Sequence, residues 1–402
     1  MEKNKLNQSA GNNSTQVQAG TINNYNITNT TGIDEDKARL ICKEEYAIAK
    51  QNWTIEANKI AEERVLKLEN KLMPKMIQYD NSLKTFSDPS FQVTLRKAQI
   101  SAASSDKEDD LDMLSELLLH RAENNSNREK KLGITKAIEI VDQIPDSSLI
   151  GLSIFYAISK YIPDSHKINN GLGILDELYK IIINNTELPT GTRWLDNLDI
   201  LSAIRISSSG TSSFKKLNDY IPFLLSKYIQ TGIQIDSVEY KDLVIKLYKA
   251  GFSVENNSIL PKELLNTLKF ENISFEHLLK KADISIFKEN PLRKGYLINN
   301  FPDYTIHHLS SETSFKGEKY SKIYNEEQKA ILQEIINLSN RDDSNIESLR
   351  LEFMKIWDEL YNLRKVHIWW DQLPLYFEIT PIGEAIANAY IRTRYPTIPS
   401  LY

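Results

Sequence analysis

The densest gathering of side chains that could do chemistry is the acidic run Asp106, Glu108, Asp109, Asp110 and Asp112. Carboxylates this close could share a divalent cation, which takes several oxygen ligands, and a bound cation could activate water for hydrolysis. The run lacks the glycine and closing glutamate of a calcium loop. Acids also collect where a helix begins, because the helix dipole favours negative charge there. It is therefore read first as a solvated helix N-terminus. His307 and His308 are adjacent, which on a strand sends them to opposite faces and on a helix about 100° apart. His120, His166, His277 and His367 are scattered, with no HExxH spacing and no cysteine beside them. Cys42 is the single cysteine, and a nucleophilic thiol needs a base and an open pocket that its helical surroundings do not suggest. Gly171 and Gly173 make a G-x-G with no strand pattern before it. Glu318-Lys319 could end a nuclease motif, but its strand and partner aspartate are missing. No nucleophile elbow or Walker loop occurs. No catalytic residue, metal ligand or cofactor site is assigned, and no cofactor is expected.

The elements that would position such residues are helical. The chain has 402 residues, enough for two or three domains, with 41% hydrophobic and 26% charged residues. The net charge of −5 and the absence of a basic block argue against a dedicated nucleic-acid binder, which needs Lys and Arg on phosphate. One cysteine excludes an intramolecular disulfide. The opening MEKNKLNQSAGNNS has no apolar stretch fit for a signal peptide, and no run of about 18 apolar residues occurs, so a cytoplasmic protein with no membrane partner is expected.

Residues 1–14 read as a polar, disordered tail. From 15 to 32 the texture becomes β: Val17, Ala19, Ile22, Tyr25 and Ile27 form an alternating apolar set in TQVQAGTINNYNI. A short hairpin is barely stable alone and its edges invite pairing, so these residues are expected to drive self-association. A long helix is expected over 33–78, with Asp34, Glu35 and Asp36 at its start and Pro74 as a stop or kink. Ile41, Ile48 and Ile55 recur every seven residues and are assigned to an oligomer interface. Ala61, Val65, Leu68 and Leu72 follow a 4-3-4 spacing. The heptads are imperfect, since Glu45 and Asn52 occupy d positions.

Helix then follows helix over 86–290, with Pro, Asn, Asp and Gly in the short connections. An irregular linker spans 291–320. Over 321–402, two helices are followed by VHIWW and LYFEI as two strands around Asp371–Pro374, then by a helix capped by Thr380 with Pro381 at its first position. This order is similar to the end of a winged-helix domain. Its nine Lys/Arg against twelve Asp/Glu make a poor phosphate surface, so protein contact is favoured over DNA, with Trp369 and Trp370 as partner-binding anchors.

The order GNNSTQVQAGTINNYNI, GIDEDKARLIC, IAEERVLKLENKL, SDPSFQVTLRKAQISAASSDKEDDLDMLSELLLHRA and ITPIGEAIANAY resembles a family of uncharacterised bacterial cytosolic proteins. The likeness runs over about residues 8–160 and again near residue 380, and is most specific over 86–122. It implies no assigned activity. The Asn/Gly/Thr-rich β-segment is similar to segments that precede sensor or effector modules in bacterial conflict proteins, an analogy only. The expectation is a mainly α protein with a short N-terminal β-segment, a long helix, a multi-helical body and a winged-helix-like α/β end. Its expected function is that of a non-enzymatic, homo-oligomeric scaffold or sensor in anti-phage defence, binding itself and a protein partner. The alternatives are a DNA-binding regulator acting through the wing, and a metal-dependent hydrolase or nuclease.

Overall fold

Thr54 divides the expected long helix. Its backbone is extended (φ −69°, ψ 165°) and its hydroxyl accepts the Ala57 amide, so a new helix starts at Ile55. The computed structural model describes residues 33–49, 54–163, 165, 167–207, 214–235, 237–250, 287–289, 292–293, 295–299, 306–308, 325–339 and 346–400. Within them the 33–78 pattern gives α1 (Glu35–Ala49) and α2 (Ile55–Tyr79) instead of one rod. Pro74 does not end α2. It is exposed, and so is Asn70, whose carbonyl the proline leaves without its helical amide partner, while Leu72, Met73 and Met76 are fully buried around it. The residues expected to drive self-association, Val17, Ala19, Ile22, Tyr25 and Ile27, and residues 251–286 of the expected helical stretch lie outside the described residues.

Buried stripes along the helices build the body. On α1 the inward set is Ala38, Cys42, Glu45 and Tyr46, at i, i+4, i+7 and i+8; on α2 it is Ala61, Val65, Leu68 and Leu72 with Met73 and Met76. Both stripes rest on α3 (Pro89–Ser104), which Asp88 caps and Pro89 opens, and α2 also lies along α4 (Glu108–Glu123). Glu45, a polar position in the heptads, is buried because Arg96 of α3 reaches one of its oxygens with two nitrogens, at 2.5 and 2.8 Å. Then follow α5 (Arg128–Ile140), α6 (Asp146–Lys160), β1 (Tyr161–Pro163), α7 (Ile168–Ile183), α8 (Arg193–Ile200), β2 (Ile204–Ile206), α9 (Leu217–Leu224), β3 (Ile233–Gln234) and α10 (Val238–Lys249). After the first part of the stretch outside the description come β4 (Phe287–Glu289), β5 (Tyr296–Asn299) and β6 (Ile306–His308). The expected irregular linker over 291–320 thus contains strand. The chain continues through α11 (Glu326–Ser339), α12 (Ile346–Glu359), α13 (Tyr361–Trp370), β7 (Phe377–Ile379) and α14 (Pro381–Arg394).

The strands are short and antiparallel. β1 pairs with β6, β2 with β7, and β3, β5 and β4 make a three-stranded sheet with β5 in the middle. The protein is mainly helical, with one large apolar core running from Ala38 to Ile398. A smaller core joins α10, α11 and Ile233.

The winged-helix expectation is corrected at its centre. VHIWW is not a strand but the second half of α13, and Phe377–Ile379 pairs with Ile204–Ile206 instead of folding back on it. Tertiary packing decides this: Val366, Trp369 and Trp370 lie on one face at helical spacing and are buried, with α13 against α7. Nor does the following helix belong to a separate end domain. α14 lies among α4, α5 and α6, with Ala385, Ile386, Ala387, Ala389 and Ile391 fully buried. The wing on which DNA binding rested is not formed.

Candidate functional site

The acidic run leads into the start of α4, and four of its five carboxylates are engaged one by one. Glu108 takes Lys71 at 2.8 Å and Lys67 at 3.5 Å, and Lys71 also reaches Asp112 at 2.7 Å. Arg394 of α14 holds Asp109 at 2.5 Å. Asp110 is buried; burial raises its pKa, against the hydrogen bond it accepts from Ser105. Asp106 is exposed. The run is a set of struts between α4, α2 and α14. Among the described residues no three His, Cys, Asp or Glu side chains converge as a metal centre would require.

The remaining reactive types are equally tied down. Cys42 is buried, Gln99 donates to its carbonyl, and burial together with the nearby Glu69 pushes its thiol up to about 12. Gly171 is a packing glycine: a Cβ there would lie 1.8 Å from the Tyr228 hydroxyl, which donates to Ser165 O at 2.7 Å. His307 and His308 stand in β6 opposite Ile162 and Tyr161. His367 lies 2.8 Å from Asp358. His166, His277 and Glu318-Lys319 are outside the described residues.

A charged cleft of about 580 Å³ opens between α2, α4 and α14, and nothing in the local sequence announces it. Its floor is Glu116, held by Lys75 at 2.5 Å and by the Arg392 Nε at 3.1 Å; Lys75 also donates to Ser115, and Arg392 Nη1 to Ile398 O. Burial alone would raise the Glu116 pKa, but the two cations outweigh it and bring it below the usual carboxylate range. Glu123, two turns along α4, lines the same cleft with no ion-pair partner among the described residues. Burial pushes its pKa up, Arg392 draws it down less strongly, and the net is a rise. His120 lies between them on α4, fully buried, and neither ring nitrogen meets a hydrogen-bonding group. Burial takes it down to about 4, so it is a neutral imidazole. The residues 75, 116, 123 and 392 come together from distant parts of the sequence, and Glu116, His120 and Glu123 stand at i, i+4 and i+7 on α4.

The residues assigned to interfaces divide. Trp369 and Trp370 are 5% and 3% exposed and belong to this chain's own core, which corrects their reading as partner anchors. Their indole N–H groups donate to Pro189 O and Lys215 O, and Trp370 stacks on Phe155 and Tyr220. Ile41 packs half-buried against the large core, so the Ile41, Ile48, Ile55 row does not lie on one face. Ile48 and Ile55 face solvent at 51% and 85%, joined by Leu40 at 52%. Ala47 is exposed beside them on α1.

No helix among the described residues is long and apolar enough to cross a membrane. No curated protein and no solved structure matches the chain. The model of one uncharacterised family matches residues 32–305, more than half of the chain, taking in α1, α2 and α4 with the greater part of the cleft, and the protein belongs to that family.

Proposed function

We propose that this protein is a non-enzymatic, homo-oligomeric interaction protein, a scaffold or sensor that assembles through its first structured helices and the β-patterned segment Thr15–Ile27 before them. The observation that carries this reading is the apolar row Leu40, Ala47 and Ile48 on the outer side of α1, with Ile55 at the start of α2. Large aliphatic side chains left in water beside a well-filled core stabilise an interface that covers them, by about 1.5–3 kcal/mol each when fully buried. A second copy is the occupant that the alternating sequence of Thr15–Ile27 suggests, because a segment patterned as a strand can pair with its own kind. The reactive groups support the non-enzymatic part: the thiol is buried and protonated, the imidazole of α4 is sealed in, and most acids of 106–112 are engaged by lysine, arginine or serine. A role in bacterial anti-phage defence, recognising a protein partner, is the setting that the resemblance suggests.

Light scattering on the full chain, on a form lacking residues 1–30, and on Leu40→Ser/Ile48→Ser/Ile55→Ser tests the proposal. The full chain is expected to be a discrete oligomer at micromolar concentration and both altered forms to be smaller. A full chain that is monomeric at that concentration overturns it.

A further inference from the structure

The charged cleft has a charge imbalance that its own residues do not resolve. Two cations and three carboxylates line it: Lys75 and Arg392 against Asp112, Glu116 and Glu123. Both cations converge on Glu116, and Asp112 is taken by Lys71 from outside the cleft. Glu123 remains, half-buried in the lining with Tyr79, whose phenol pKa burial and then Glu123 push up; Arg392 draws on Glu123 less strongly than burial acts against its charge. His120, on the same helix, is neutral and offers it no positive charge. A desolvated carboxylate left in this way favours whatever brings a positive charge to it.

We propose that the cleft between α2, α4 and α14 binds a small organic cation, a primary amine or guanidinium, with its charge on Glu123, the Tyr79 ring beside it and its aliphatic stem along Leu119. The volume of about 580 Å³ is that of a small-molecule site. The half-exposed phenol ring gives a cation a π face. A bare divalent metal fits less well, since it takes several oxygens and only one carboxylate is uncommitted. An anion fits less well because Lys75 and Arg392 already share a carboxylate.

Calorimetric titration of the full chain with agmatine and with 1,4-diaminobutane tests this, with inorganic phosphate and magnesium chloride as comparison solutes. Saturable binding of the amines is expected. Glu123→Gln should weaken it at least about tenfold, the loss of one charge-assisted contact. Tyr79→Leu should weaken it about threefold, the size of one cation–π contact. Tyr79 is exposed and Glu123 is half-buried at the cleft, and equal thermal unfolding of the variants and the parent shows that the fold is intact. Absence of saturable amine binding up to about 10 mM, or equal affinity in Glu123→Gln, overturns the proposal. So does binding of phosphate or magnesium in place of the amines.

Discussion

Gly383 sits where three elements meet, and the space around it leaves no room for a methyl group. A Cβ there would lie 2.1 Å from Ala203 O and 2.9 Å from Ile379 Cγ2, and neither neighbour can move without parting β2 from β7. Gly383→Ala is expected to destabilise the fold by about 3 kcal/mol or more, through overpacking against backbone. Gly173, on the exposed side of α7, meets nothing within 4 Å. Gly173→Ala should stabilise by about 0.5–1 kcal/mol, the conformational entropy a helix interior loses at glycine. Urea unfolding of the pair reads both signs against one baseline. His120 gives a second prediction at this scale. An imidazole in the unfolded chain binds its proton near 6.5, and in the fold at about 4. Between those values the unfolded chain carries more protons, so stability is fully present above 6.5 and falls on acidification toward 4. By pH 5 the loss from this one residue is about 2 kcal/mol. Glu116, whose folded pKa is lowered, adds to the acid loss in the same direction. His120→Leu should therefore lose about 2 kcal/mol less than the parent between pH 8 and pH 5, and an unchanged difference would place the acid sensitivity elsewhere.

At the scale of elements, capping signals were more legible than strand signals. Asp88-Pro89 and Thr380-Pro381 open α3 and α14 as their chemistry dictates, with Asp88 accepting the Ser90 amide and Thr380 the Gly383 amide. Helix ends are local chemistry, so the residues that make them are neighbours in sequence. VHIWW misled because Val, Ile and Trp favour strands wherever context allows, and the context is a groove supplied by α7 and by residues about 180 positions away. The heptad of Ile41, Ile48 and Ile55 misled for a related reason. A seven-residue period is compatible with any face, and Thr54 resets the helical phase before Ile55. The placement of α14 makes a measurable difference between one body and an appended domain. The amides of Ala385, Ile386 and Ile391 should exchange hydrogen with the same opening free energy as those of Leu117 and Leu118 on α4. Exchange of the α14 amides by a separate, lower-energy opening would restore the independent end domain.

Across the whole molecule, the cleft was illegible because its parts are Lys75, Glu116, Glu123 and Arg392, brought together from three helices and nearly the whole described length. Charge counts along the sequence register such residues as solvated faces, and only the fold shows which of them neutralise one another. Burial was easier to foresee: the 4-3-4 stripe of α2 states its own inward side, whatever it packs against.

The seat of α14 among α4, α5 and α6 also has a consequence for how the protein is made. Translation delivers α4, α5 and α6 long before residues 381–394 exist, and during that interval the faces of these helices that α14 covers have no lid. The nascent chain must hold an open, sticky groove for the time needed to add some two hundred further residues, at roughly 5–20 residues per second. A chain cut short in that interval lacks α14 and cannot close this side of its core. Completion of α14 is thus the step on which closure of the core waits, and chains shortened before it should be cut by protease where the full chain resists.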